Sequence, residues 1–280
     1  MPSAPGLPKS EKAKGKARAS SSSQGSKADT PLSRVIALQK ALASSADLNP
    51  LQELIEQVHS VAVSLCTPGK GRSSKEADSA GGLKALHVGV QVLQRSFVAL
   101  LQSDRIALSP ECDDYGRAVG SSSNGAKNAN SPEAQVEKWL QGRWNALVLL
   151  LCSLLGLEGT SADGEEEIRK EVLDALILLH MEACASLTRQ VHANSPGNVE
   201  GPKIPHWSRS PWRALMLAFI AGSAHLADIK LDSDDSVKAS FKLVGTRAGS
   251  RPQQDVLQKF ADELLESFDD ARCAALREMR

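Results

Sequence analysis

Val136-Glu-Lys-Trp-Leu-Gln-Gly-Arg-Trp-Asn-Ala-Leu-Val-Leu-Leu-Leu-Cys-Ser-Leu-Leu155 is the stretch that decides the fold class of this chain. Val136, Leu140, Trp144, Leu147, Leu151 and Leu154 recur at three- and four-residue steps, which places them on one face of an α-helix. Apolar residues surround that stripe in its second half, so this helix belongs at the centre of the protein, covered on several sides. Ser131-Pro132 stands just upstream. Serine is a strong N-cap, and proline at the first helical position loses no hydrogen bond. The nearly continuous apolar run Ala146 to Leu155 is about half of a membrane span, so no transmembrane helix is expected.

The same grammar repeats on both sides. Leu51, Leu54, Ile55, Val58, Val61, Ala62 and Leu65 form one stripe; Leu86, Val90, Leu93, Phe97, Leu100 and Leu101 form another. Ile168, Val172, Leu176, Leu179 and Ala183 continue the pattern, as do Leu257, Phe260, Ala261, Leu264 and Phe268. Pro31, Pro50, Pro132, Pro211 and Pro252 each open a periodic segment, and none interrupts one. Seven helices are predicted, at 31–46, 50–66, 82–104, 132–156, 164–192, 211–225 and 252–279. Leucine and alanine contribute 36 residues each, against 30 for valine, isoleucine and threonine together, so composition also favours helix over sheet.

Three polar connections separate these segments. Residues 105–131 hold Ser121-Ser-Ser-Asn-Gly-Ala-Lys-Asn-Ala-Asn130, a low-complexity stretch expected to be a disordered internal loop. Residues 193–210 and 229–251 are also long and polar. Helices joined by such excursions point to an all-α fold, an irregular α-solenoid of HEAT- or armadillo-like hairpins spanning 31–280. No sequence repeat recurs at a fixed period, so a non-repetitive helical bundle is the alternative. The apolar pattern of the last helix reaches Leu276 with no glycine, proline or polar tail behind it. The expectation is the N-terminal part of a longer protein.

Residues 1–30 differ from the rest. They carry six basic and two acidic side chains within a net charge of zero for the whole chain. Lys9, Lys12, Lys14, Lys16 and Arg18 precede Ser20 to Ser23 without an apolar face to bury, so a disordered tail is expected. Its composition suits nuclear import or contact with nucleic acid, and equally a tail that only solubilises the chain.

Chemistry is not visible. No phosphate-binding glycine loop, nucleophile elbow or paired-histidine zinc motif occurs. Cys66, Cys112, Cys152, Cys184 and Cys273 are odd in number and widely spaced, which disfavours a disulfide framework or a cysteine zinc site. His180 shares a helix face with Leu173, Leu176, Ile177 and Cys184 and reads as a packed histidine. The expectation is a protein that is not an enzyme and needs no metal, cofactor or small-molecule substrate.

Four motifs, in order, carry a resemblance. Phe97-x-x-Leu-Leu101 comes first. After the polar loop, Trp139-Leu-Gln-Gly-Arg143-Trp144 heads the leucine-rich helix. Pro211-Trp-Arg-Ala-Leu215 and Phe268-Asp269-Asp270-Ala-Arg272 follow. Over residues 83–275 this arrangement resembles the N-terminal region of the nucleolar complex protein 4 family, departing from it at Ser210 and Cys273.

The resemblance implies a non-catalytic scaffold in the nucleus and nucleolus. It implies work in 18S rRNA processing and small-subunit assembly, with nucleolar protein 14 and other small-subunit processome proteins as partners. The other reading of the same residues is a general HEAT-like protein-binding adaptor without a ribosomal role.

Overall fold

The computed structural model describes residues 30–44, 47–66, 75–108, 131–157, 162–194, 205–246 and 252–278. Its elements are α1 (Pro31–Ser44), α2 (Asn49–Cys66), α3 (Lys75–Gln102), α4 (Pro132–Leu154), α5 (Ala162–Asn194) and α6 (Arg209–Ile220). After them come α7 (Asp234–Phe241), α8 (Gln254–Phe260) and α9 (Asp269–Glu278). A 3-10 turn, Leu226–Asp228, precedes α7, and a π-turn, Ala261–Leu265, follows α8. No strand occurs among the described residues, and the fold is all-α and helical-repeat-like.

Local chemistry starts α1, α2 and α4 where the sequence places them. The Thr30 hydroxyl accepts from the Ser33 amide, and the Ser131 hydroxyl accepts from the Ala134 amide. At α2 the cap comes from one residue further out, because the Asp47 carboxylate accepts from the Asn49 amide. Each bond satisfies an amide that the helix cannot reach internally, worth about 1 kcal/mol.

Helices α1, α2 and α3 pack on one another, and α3 also lies along α5. Helix α4 contacts α2, α5, α6 and α7, and its residues 142–154 are buried on every side. The central position expected for this helix is what the structure shows. The approach of α2 and α3 is close enough that a side-chain carbon added at Gly89 would collide with Val58.

Helix α3 ends in a Schellman arrangement: the Arg105 amide reaches the Leu100 carbonyl, the Asp104 amide reaches Leu101, and Asp104 takes φ 50°. A non-glycine residue is costly there. The Asp104 carboxylate offsets that cost by accepting from the Ser186 hydroxyl and pairing with Arg189 at 2.9 Å, which fastens the end of α3 to α5.

Four expectations change. First, the structure continues past α3: Ile106 and Leu108 are buried, and Gln190 donates to the Ile106 carbonyl. The remainder of that connection, 109–130, lies outside the described residues, as does the basic tail. Second, α3 begins at Lys75 rather than near 82.

Third, 229–251 holds a helix. Ser233 caps α7, whose Val237 and Ser240 are buried, and the Ser240 hydroxyl accepts from the Lys230 amide.

Fourth, the last predicted helix is broken into α8, the π-turn and α9. Helix α8 packs on α5 and α9 on α6, so the segment turns between two different neighbours. Leu264 and Ala275 stay buried, whereas Leu257 and Phe268 are exposed. Backbone carbonyls at the break accept from Ser267 and Arg272.

Candidate functional site

The residues that carry the family-like motifs lie far apart in sequence and largely meet in one place. Phe97 of α3 and Trp144 of α4 are buried with ring centroids 6.0 Å apart. Trp144 faces His180 of α5 at 6.3 Å, and His180 faces Trp212 of α6 at 5.8 Å. Trp212, directly after the buried Pro211, contacts Trp207 at 4.6 Å. On its other side it contacts Phe260 of α8 at 6.4 Å, which stacks on Phe219 at 4.4 Å. One aromatic spine therefore joins five helices, and tilted ring pairs of this kind contribute about 1 kcal/mol each beyond burial.

The Phe268-Asp-Asp-Ala-Arg272 motif connects to the spine through one atom. Trp207 donates its indole N–H to the Asp270 carboxylate at 3.1 Å. Asp269 pairs with Arg272 at 3.5 Å, and the Arg272 guanidinium donates to the Leu265 and Glu266 carbonyls. Phe268 itself lies on the surface.

Trp139 and Arg143 stand apart from the spine. Trp139 is half-buried, with the Arg143 guanidinium 5.9 Å from its ring centre. Arg143 is almost fully buried. It donates to the Leu231 carbonyl at 2.8 Å and lies 3.7 Å from the Asp234 carboxylate. A buried guanidinium requires such partners, since an unpaired charge in the interior is costly. Gly142 makes room for them: a side-chain carbon there would collide with the Asp234 carboxylate. Lys9, Lys12, Lys14, Lys16 and Arg18 lie outside the described residues.

The titratable groups in the spine are quiet. Burial pushes the His180 pKa below its ordinary value, so the ring is neutral at pH 7, and its Nδ1 is 2.8 Å from the Leu176 carbonyl. Burial raises the Cys152 thiol to about 12. Burial, with the Asp270 carboxylate nearby, raises Cys184 to about 11. Thiols held so high stay protonated and are poor nucleophiles. Among the described residues, no group of three or more His, Cys, Asp or Glu side chains is placed to hold a metal ion. No helix among them is long and apolar enough to cross a membrane.

Sequence reasoning passed over two buried connections. Arg169 donates to the Leu157 carbonyl at 2.9 Å and to Gln253 at 2.8 Å, with Glu165 at 3.4 Å, and so ties the end of α4 to the starts of α5 and α8. Asp234 was the other. The Glu165–Arg169 pair has a local i,i+4 spacing, but Gln253 is 84 residues from Arg169 and the Leu231 carbonyl is 88 from Arg143, so neither long-range connection has a local signature. Comparison of the chain with protein-family models, with curated proteins and with solved structures gives no match.

Proposed function

We propose that this chain is a non-catalytic helical scaffold of nucleolar ribosome biogenesis, acting in 18S rRNA processing and small-subunit assembly beside nucleolar protein 14. The observation that supports this reading is the convergence of the motif residues. Phe97, Trp144, Pro211-Trp212 and Asp270 come from four sequence regions and contribute to one continuous packing unit. A set of residues with one joint structural task is what a shared domain retains, and of these Phe97, Trp144, Pro211 and Asp270 belong to the motifs that carry the resemblance. The chemistry points the same way, because among the described residues the buried guanidinium groups of Arg143 and Arg169 are engaged with carbonyls and carboxylates. Lys9, Lys12, Lys14, Lys16 and Arg18 supply the basic segment for import and weak pre-rRNA contact.

Affinity purification of the tagged chain from a nucleolar extract tests the reading. The expected result is co-purification of pre-18S rRNA with nucleolar protein 14 and other small-subunit processome proteins, and nucleolar fluorescence of the tagged chain. Recovery of unrelated protein cargo, with cytoplasmic fluorescence, would instead identify a general helical adaptor.

A further inference from the structure

A groove runs across the surface where α1, α2, α3 and the start of α4 meet. Its first part is a cavity of about 420 Å³ beneath Leu42, Leu48, Val92 and Leu100, with Arg95 and Arg105 on its rim. Its second part, about 550 Å³, shares Leu48 and Arg105 and continues to Val136 and Trp139. Leu42, Leu48 and Trp139 are only half-buried and Val136 is 44% exposed, so the apolar row faces outward rather than into the core. Contiguous apolar surface of this kind marks a docking site when polar groups border it.

The border is cationic. Arg95 and Arg105 are exposed, and neither guanidinium has a hydrogen bond or ion pair among the described residues. Among the described residues lining the groove the one carboxylate, Asp47, accepts from the Asn49 amide at the start of α2. Two available guanidinium forks beside a leucine floor complement a ligand with both apolar and acidic side chains. A nucleic acid fits less well. The first cavity offers no aromatic face for a base, and the Trp139 ring in the second already meets the Arg143 guanidinium.

We propose that this groove docks an acidic amphipathic segment of a partner protein. Its apolar side chains enter between Leu42, Leu48 and Leu100, and its carboxylates pair with Arg95 and Arg105. This does not depend on the ribosomal reading, because any partner with that chemistry satisfies it.

The test uses the full chain and a fluorescein-labelled helical peptide of about 12 residues, or three turns. Leucines occupy one face of the peptide and glutamates the other; a second peptide carries lysine in place of every glutamate. Fluorescence polarisation should show saturable binding of the glutamate peptide alone. R95E/R105E should weaken it about tenfold or more, with an unchanged thermal melt because both arginines are exposed. Leu48→Asp should weaken it as well.

Equal binding of both peptides, or indifference to R95E/R105E, overturns the proposal. Arginine-dependent displacement of the peptide by single-stranded RNA would reassign the groove to nucleic acid. A dimer of the wild type that R95E/R105E splits in sedimentation would reassign it to a second copy. Residues 109–130 carry Glu111, Asp113 and Asp114. Peptide binding that appears only after their deletion would make this chain, and not a partner, the occupant.

Discussion

The indole N–H of Trp207 meets the carboxylate of Asp270 at 3.1 Å, joining the segment before α6 to the first turn of α9. Trp207 is buried and Asp270 half-buried, so loss of the acceptor leaves the indole donor without its protein partner. Asp270→Ala should destabilise the protein by about 1–3 kcal/mol, and Asp270→Asn, which keeps an acceptor, by less. Urea titration followed by tryptophan fluorescence measures both. Equal stability of all three chains would show that the bond contributes nothing.

Trp144 is enclosed by Phe97 and His180 in the middle of the spine, as its place on the α4 stripe requires. Trp144→Ala should therefore cost about 3–5 kcal/mol. A variant of normal stability that loses partner binding would mean that the indole serves an interface instead.

Gly142 and Asp234 make a coupled pair. Alanine is a better helix former than glycine by about 1 kcal/mol, yet Gly142→Ala should destabilise, because its methyl group displaces the carboxylate beside Arg143. In a double-mutant cycle with Asp234→Ala, the cost of Gly142→Ala should shrink or change sign. Additive effects, read from denaturation midpoints, would refute the coupling.

Acid should weaken the fold in two separate windows. His180 has a folded pKa below its ordinary 6.5, because burial disfavours the charged ring. The unfolded chain then binds more protons, so stability is complete above about pH 6.5 and declines as pH falls below it. His180→Gln should flatten that part of the profile.

Asp104 behaves alike at lower pH. The Arg189 guanidinium hydrogen-bonded to its carboxylate holds the pKa below 3.8. The stability it contributes is present above that value and is lost as pH falls through the folded pKa. Arg189→Gln should remove this second decline while leaving the first. Thermal melts from neutral pH to pH 3 check both.

The sequence by itself determined where α1, α2 and α4 begin, because a capping bond and a proline act within one turn of themselves. Thr30, Ser131 and the prolines beside them could therefore be read without knowing any distant neighbour. The stripes of α2, α3 and α4 were legible for a related reason. Their 3.6-residue period is a property of the helix, and only the identity of the surface that they meet is missing from it. The burial of Trp144 followed from the α4 stripe, and the packed character of His180 from the apolar face it shares with Leu173, Leu176, Ile177 and Cys184 on α5.

Everything that depends on a meeting between remote segments was decided by tertiary structure. Arg143 looks like an ordinary helix-surface arginine until α7 brings the Leu231 carbonyl and Asp234 beside it. Asp270 looks like half of a local acidic pair until Trp207 arrives from 63 residues away. Leu257, Phe260, Ala261, Leu264 and Phe268 read as one continuous helix face, but α8 packs on α5 and α9 on α6, and Leu257 and Phe268 are left exposed around the break. A local pattern specifies the direction of an apolar face; only the packed neighbour specifies whether that face stays straight, because bending costs a few backbone bonds and burying both ends recovers more.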